Sequence, residues 1–255
     1  MLVDSHCHLD YFEGAARDAV LDRARAAGVA EMVTIGTTLA QSAAMRAYAE
    51  ATPGVWCTVG VHPHNAAEGA TTEQLLALAD NPKVVGIGES GLDYHYDTAP
   101  RDAQAASFRE HVRACQATGL PLVIHAREAD EDIAGILRDE WERGGAYKLL
   151  LHCFSSGRRL AEVAVDLGGY VSFSGILTFP RSQEIRDIAR DLPAERLLVE
   201  TDAPYLAPVP FRGKQCEPAM VARTAAVLAQ VRGVEPEALA ELTTTNFRRL
   251  FRRAA

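Results

Sequence analysis

Short apolar runs alternate along the chain with longer segments whose apolar residues recur at helical spacing. The runs are rich in Val, Ile and Leu, and residues 84–88 are apolar on both faces, as expected for a buried parallel strand. The pattern predicts eight strands, at residues 2–8, 31–36, 55–62, 83–89, 121–127, 148–153, 169–174 and 196–202. It also predicts nine helices, at residues 15–27, 40–51, 72–79, 101–118, 130–142, 158–167, 182–190, 218–231 and 236–253.

Eight strands that alternate with helices predict a TIM (β/α)8 barrel. The alternative is an open doubly wound sheet, which binds nucleotides through a glycine-rich turn after its first strand. No GxGxxG sequence follows the first run, and polar residues stand at the ends of many runs rather than at one crevice. The 255 residues contain no linker and no low-complexity tract, so we expect residues 1–255 to form a single barrel domain.

Composition narrows the classes of function. The chain has 34 acidic and 26 basic residues, and its net charge of −8 argues against coating of nucleic acid, although not against a local phosphate site. No segment approaches the roughly 20 consecutive apolar residues of a membrane span, and the first residues, MLVDSHCHLD, lack a signal-peptide pattern. Five scattered cysteines without a CxxC pair fit a reducing compartment. We therefore expect a cytoplasmic protein with no membrane contact and no obligate protein partner.

Histidines and carboxylates gather where the predicted strands end, which is where barrels of this kind place their chemistry. Six of the eight histidines lie on or just after a strand. His6 and His8 are two apart on one strand, so both side chains point to one face and can share a cation. His125, His152 and Asp202 enter the same mouth from later strands. Imidazole and carboxylate together suit Zn, Mn, Co or Fe and also admit Mg, so the pattern predicts a metal site.

Glu89 is the most informative single residue. It follows the apolar fourth run among Gly86, Gly88 and Gly91, an unusual setting for a glutamate in a surface ion pair, which is the alternative interpretation. A carboxylate has two oxygens and can bridge two cations about 3.5–4 Å apart. We therefore predict that Glu89 is a bridging ligand in a site that holds two to three divalent ions, namely Mg, Mn or Zn.

Five further polar residues near the predicted mouth are candidates for substrate contact. They are His62, His64, Arg127, Arg212 and Lys214. The two histidines flank a proline that fixes their turn. One interpretation is that they form hydrogen bonds to a substrate phosphate or leaving group, and the alternative is that they only order the loop. The basic side chains suit phosphate contact, with arginine able to bind it through two nitrogens, and solvated charge is the alternative.

Six motifs in this order resemble those of the TatD family of metal-dependent hydrolases. They are DSHCHLD (4–10), GVHPH (60–64), GESGLDY (88–94), IHAR (124–127), HCFS (152–155) and ETDAPYL (200–206). The resemblance runs from the first predicted strand to the last. Ser90 departs from the more usual Ile and Cys216 from the Asn that the family tends to have, and neither position is a proposed ligand.

The resemblance implies a TIM barrel of the amidohydrolase superfamily. It also implies a DNase that hydrolyses phosphodiesters, often as a 3′-to-5′ exonuclease on single-stranded ends. The metal ligands that it implies are His6, His8, Glu89, His125, His152 and Asp202. The related amidohydrolases bridge their metals with a carbamylated lysine on the fourth strand, whereas in this chain Lys83 stands at the far end of that strand and Glu89 at the rim.

The residues predict metal-assisted hydrolysis, in which Asp202 takes or orients the proton of the attacking water and Glu89 holds the cations. One alternative is a hydrolase that uses the same site on an amide, an ester or a lactone; the two histidines of the GVHPH motif and Arg127 favour phosphate. The other is a metal-stabilised binding protein without activity. A degenerate enzyme is expected to lack a ligand, and no ligand is missing here.

Overall fold

The eight apolar runs form eight parallel strands whose order in the sheet is their order in the chain. This computed structural model describes all of residues 1–255. The last strand returns to the first through a parallel bridge between Cys7 and Ala203, which nearly closes the sheet. The predicted TIM barrel is confirmed. Its strands are β1 (Leu2–Cys7), β2 (Val29–Thr34), β3 (Val55–Val59), β4 (Val84–Asp93), β5 (Leu122–Arg127), β6 (Leu149–Leu151), β7 (Tyr170–Phe173) and β8 (Leu197–Val199).

All nine predicted helices are present. They are α1 (Gly14–Ala26), α2 (Leu39–Ala51), α3 (Thr72–Ala79), α4 (Arg101–Thr118), α5 (Asp130–Gly144), α6 (Arg158–Asp166), α7 (Gln183–Asp191), α8 (Val221–Arg232) and α9 (Pro236–Leu250). Their ends have local causes, such as the capping box that Thr71 and Gln74 form before α3. Gly119 ends α4 in the left-handed conformation that glycine adopts at no steric cost. None of these helices has the length and apolar character that crossing a membrane requires.

Strand β4 is longer than predicted. It continues past Glu89 to Asp93, because its last residues pair with Ala126 and Arg127 at the end of β5. Gly91 makes this pairing close: a Cβ atom at this position would lie 2.0 Å from the carbonyl oxygen of His125. Since only glycine fits there, β4 approaches β5 tightly at the level of the predicted metal ligands.

Strands β6 and β8 are shorter than predicted. They end at Leu151 and Val199, so His152 directly follows its strand and Asp202 stands three residues beyond its own. Asp202 has a φ of 59°, in the left-handed region that few residues other than glycine adopt. Hydrophobic alternation cannot mark where strand pairing stops, because the buried pattern continues into the segments that line the barrel mouth.

A ring of apolar side chains fills the barrel beneath that mouth, and we call it the apolar floor. Two residues beyond Val123 and Leu150 on the same strand faces come His125 and His152, so the predicted ligands stand directly above the floor. Phe247 and Phe251 close its lower end from the C-terminal segment. The floor takes one buried residue from each strand except β3, namely Val3, Val33, Val85, Val123, Leu150, Tyr170 and Leu198.

Candidate metal centre

Glu89 lies at the centre of a cluster of histidines above the apolar floor. Its Oε1 atom lies 2.7 Å from His152 Nε2 and 2.9 Å from His125 Nδ1. Its Oε2 atom lies 3.3 Å from His6 Nε2 and 3.8 Å from His8 Nε2. Burial raises the pKa of the Glu89 carboxyl, but the charge of His152 and the other histidines outweighs it and holds this pKa well below its ordinary value. An ionised carboxylate therefore faces two separate pairs of imidazoles.

A second carboxylate fixes the proton on each of the two histidines that face Oε1. His125 Nε2 lies 3.0 Å from Asp93 Oδ2, and His152 Nδ1 lies 3.3 Å from Glu200 Oε1. Carboxylates accept hydrogen bonds, so these ring nitrogens carry protons. The opposite nitrogens point at Glu89, which is also an acceptor; without a cation they carry protons too, and beside a cation they would offer lone pairs. Two acceptors within 3 Å require a proton or a cation between them, and buried carboxylates often hold metal-binding histidines in this way.

The other half of the cluster contains buried atoms without hydrogen-bond partners. They include both ring nitrogens of His6, Nδ1 of His8 and Oε2 of Glu89. Asp202 Oδ1 lies 3.4 Å from His8 Nε2 and 3.6 Å from His6 Nε2. Buried polar atoms are rarely left unpaired, and ligands held at about 2.0–2.2 Å from one cation lie roughly 3–3.5 Å from each other. The donor set and its spacing therefore fit divalent cations.

The structure brings all six predicted ligands into this one cluster. The donor atoms form three groups, and within each group all the donor atoms lie within 4.8 Å of one another. Two of these groups share only Glu89. One combines it with His6 and His8, and the other with His62 and His125. Their placement supports the predicted ligand set, which is His6, His8, Glu89, His125, His152 and Asp202, and the ligand role itself stays a prediction.

His62 belongs to the cluster but is held as a hydrogen-bond donor. Its Nδ1 atom accepts a hydrogen bond from the backbone N–H of His64, so the ring proton is on Nε2, 3.4 Å from Glu89 Oε1. A protonated ring nitrogen has no lone pair for a metal. This favours the predicted contact of His62 with a substrate or leaving group over a ligand role.

Asp93 and Glu200 contact two of the candidate ligands, and the sequence reasoning missed both. Burial raises the pKa of the Asp93 carboxyl, but hydrogen bonds from His125, the Tyr96 amide and His64 reverse the shift and hold this pKa below its usual range. A signal for both exists in retrospect. Asp93 is four residues beyond Glu89 on the same strand, and Glu200 belongs to the same ETDAPYL motif as Asp202.

We expect Asp93→Asn to weaken metal binding by about 10- to 100-fold, the usual cost of losing such a partner. Asp93 Oδ1 accepts the backbone N–H groups of His95 and Tyr96, so the new amide nitrogen would take the Oδ2 position and donate to His125 Nε2. The ring proton would then move to Nδ1, the nitrogen that faces Glu89. Calorimetric titration with Mn²⁺ measures the affinity.

The control for this variant is Asp97→Asn, which changes an exposed carboxylate of the following loop that pairs with Arg101. It should bind Mn²⁺ like the native protein. Equal affinities for native protein and Asp93→Asn would show that Asp93 does not govern the state of His125.

The three basic residues that are predicted to contact the substrate lie in different surroundings. The Arg127 guanidinium lies over the Tyr96 ring, 4.9 Å from its centroid, and lines the cavity described below. Arg212 stacks on Phe179 at 3.9 Å, and Lys214 lies 5.9 Å from the Phe211 ring. Neither of these last two lines the cavity. Their contact with a substrate stays a prediction that this placement does not support.

The cluster opens into a cavity of about 1250 Å³ at the carboxyl ends of the strands. Its walls include the Glu89 carboxylate, Asp202 and five of the histidines. Ser90 and Cys216, the two departures from the family pattern, are buried and lie outside the lining. The cavity is larger than the roughly 300–1,000 Å³ of most small-molecule sites.

Fold and site together define a metal-dependent hydrolase built on a TIM barrel. A family profile described as TatD related DNase matches residues 3–252. The chain belongs to the TatD family, as the six motifs predict.

The relatives cover the chain almost from end to end. YcfH of Escherichia coli K12, described as an uncharacterized metal-dependent hydrolase, is 44% identical over 98% of this chain and 95% of its own length. TatD of Salmonella typhimurium, described as a 3′-5′ ssDNA/RNA exonuclease, is 36% identical over 92% of each chain. The crystal structure of YjjV, a TatD homologue from Escherichia coli K12, superposes with a TM-score of 0.90 at 30% identity over 98% of both chains.

Proposed function

We propose that this protein is a divalent-metal-dependent phosphodiesterase, and specifically a deoxyribonuclease that removes nucleotides from the 3′ ends of single-stranded DNA. The observation that carries this proposal is the position of Glu89, whose two oxygens face two separate pairs of histidines within one cavity. Paired cations suit displacement at phosphorus, because they stabilise both the attacking and the leaving oxygen. The relative described as a 3′-5′ ssDNA/RNA exonuclease supports the choice of substrate.

The chain offers two sets of donors for two to three ions of Mg, Mn or Zn. His6 and His8, with Asp202 beside them, face one oxygen of Glu89, and His125 and His152 face the other; His152 also lies close enough to His6 and Asp202 to share a cation with them. When bound, divalent cations lower the pKa of water and neutralise charge on phosphoryl oxygens.

Asp202 is the proposed general base. Its carboxylate lines the cavity, and its backbone N–H donates to the His6 carbonyl at 2.9 Å, which ties it to β1. The left-handed backbone of this residue is the kind of local outlier that functional sites retain. With its position fixed from both sides, the carboxylate is set to accept the proton of an attacking water.

The rim supplies groups that contact the substrate. His62 Nε2–H is a partly exposed donor beside Glu89 and can donate to a phosphoryl oxygen. His64 and Arg127 lie further out in the same cavity and complete a polar wall for the phosphate. We also propose that residues 1–255 act as a single domain. The proposed compartment is the cytoplasm, because all five cysteines are unpaired.

The test compares substrates on protein loaded with Mn²⁺ or Mg²⁺, with and without chelator. The substrates are a single-stranded DNA 20-mer labelled at its 5′ end, its duplex, a p-nitrophenyl phosphodiester and a p-nitrophenyl carboxyl ester. We expect the single strand to shorten stepwise from its 3′ end and the duplex to be cleaved more slowly. Cleavage of both DNA substrates should be lost when chelator is present. Faster turnover of the carboxyl ester than of either phosphodiester would overturn the proposal.

A further inference from the structure

Of the Phe, Tyr and Trp side chains, only three are exposed to solvent. Tyr11 is 55% exposed, Tyr96 59% and Tyr205 46%. The other exposed large apolar residues are Met1, the first residue, and Val234, in the turn between α8 and α9. All three tyrosines line the cavity that holds the metal cluster. Aromatic rings usually bury their large apolar faces, so their exposure at this one place calls for a ligand.

Two of these tyrosines form a pair beside the cluster. Tyr11 follows β1 and Tyr205 follows β8, and their ring centroids are 5.6 Å apart in an edge-to-face arrangement. Each ring centroid also lies 6.1 Å from that of His8. The pair therefore presents an open aromatic surface one ring away from a candidate metal ligand.

The opposite wall of the cavity, which follows β5, is mostly acidic. It carries four acidic residues just before and in the first turn of α5, which repel phosphate except where Arg127 offsets their charge. They are Glu128, Asp130, Glu131 and Asp132. The remaining exposed tyrosine, Tyr96, stands on that side and is covered on one face by Arg127. The surface of Tyr11 and Tyr205 is thus the aromatic surface of the cavity that lies away from the acidic wall.

We propose that Tyr11 and Tyr205 form a base-stacking subsite, which holds the nucleobase next to the phosphodiester that is cleaved. This inference rests on the proposed nuclease function and adds how the strand end is held. Every base has a π-face, so stacking on tyrosine is tolerant of sequence, and it requires a base that is not already paired and stacked in a duplex. The subsite therefore selects unpaired strand ends.

The experiment measures kcat/KM for Tyr11→Leu and Tyr205→Leu on two oligonucleotides. One is a thymidine 10-mer, and the other carries abasic residues at its three 3′-terminal positions. On the thymidine 10-mer we expect each variant to lose on the order of 10- to 100-fold, the range of one stacked base, chiefly through KM. On the abasic oligonucleotide the loss should shrink to less than about threefold, because no base is present to stack. Tyr11→Phe and Tyr205→Phe keep the ring and should retain most of the native kcat/KM.

Val234→Ala is the matched surface control, since this exposed residue lies outside the cavity. It should behave like the native protein on both oligonucleotides. Equal losses for a leucine variant on both substrates would assign the tyrosines to loop structure and overturn the subsite, as would no loss on either. A native protein that cleaves neither oligonucleotide would overturn the nuclease function itself, and the subsite with it.

Discussion

Glu89→Gln is expected to lose bound metal and turnover together, with turnover at least about 10³-fold below that of the native protein. Metal ions contribute several kcal/mol of transition-state stabilisation, and each 1.36 kcal/mol is tenfold in rate. The amide of glutamine has one oxygen and one N–H₂ group, so it cannot present an anionic oxygen to both pairs of histidines. Wherever the N–H₂ group points, it donates to a ring lone pair that a cation would otherwise use. Elemental analysis of the purified variant and its turnover at saturating Mn²⁺ measure both effects.

The control for the bridge is Glu184→Gln, which makes the same change on the exposed surface of α7. It should keep native metal content and native turnover. Circular dichroism and the melting temperature establish that Glu89→Gln remains folded, as expected because the apolar floor beneath it is untouched. A folded Glu89→Gln protein with native metal content would show that Glu89 does not bridge the cations.

Asp202→Asn is expected to separate chemistry from metal binding. The substitution keeps the shape and one oxygen but removes the negative charge and the ability to take a proton. The four histidines and Glu89 should retain most of the metal, whereas turnover should fall by about 10²–10⁴, the usual contribution of a positioned general base. Metal content and turnover are measured at saturating Mg²⁺ and again at saturating Mn²⁺.

Asp166→Asn, at the exposed end of α6, provides the comparison and should leave both quantities unchanged. Near-native turnover in Asp202→Asn would refute the role of general base. A variant that loses turnover only in proportion to lost metal would make Asp202 a ligand and no more.

Periodicity in the sequence was enough to place the cluster of candidate metal ligands. His125 and His152 each follow an apolar residue by two positions, and that spacing fixes their face in any strand. His6 and His8 carry the same information within one motif. The alternation of strands and helices then closes the sheet, which brings faces from distant parts of the chain to one mouth.

Other features depend on contacts that periodicity does not encode. Asp93 lies in a strand extension created by pairing with β5, so its spacing from Glu89 becomes informative only once that pairing is known. Arg212 belongs to a long loop between β8 and α8, and its stacking on Phe179 depends on where two loops meet. The sequence does not distinguish the tyrosines around the cavity from buried tyrosines, so their exposure is seen only in the folded chain.

Substitutions below the apolar floor and substitutions above it have different effects on the stability of this protein. Below it lie the tightly packed strands and the C-terminal phenylalanines, where a change in volume costs stability. Above it lie the candidate ligands and the loops that line the cavity, where several side chains, such as Tyr11, Tyr96 and Tyr205, are exposed. Substitutions at those exposed positions cost little stability, so the residues that contact a substrate can change while the barrel remains stable.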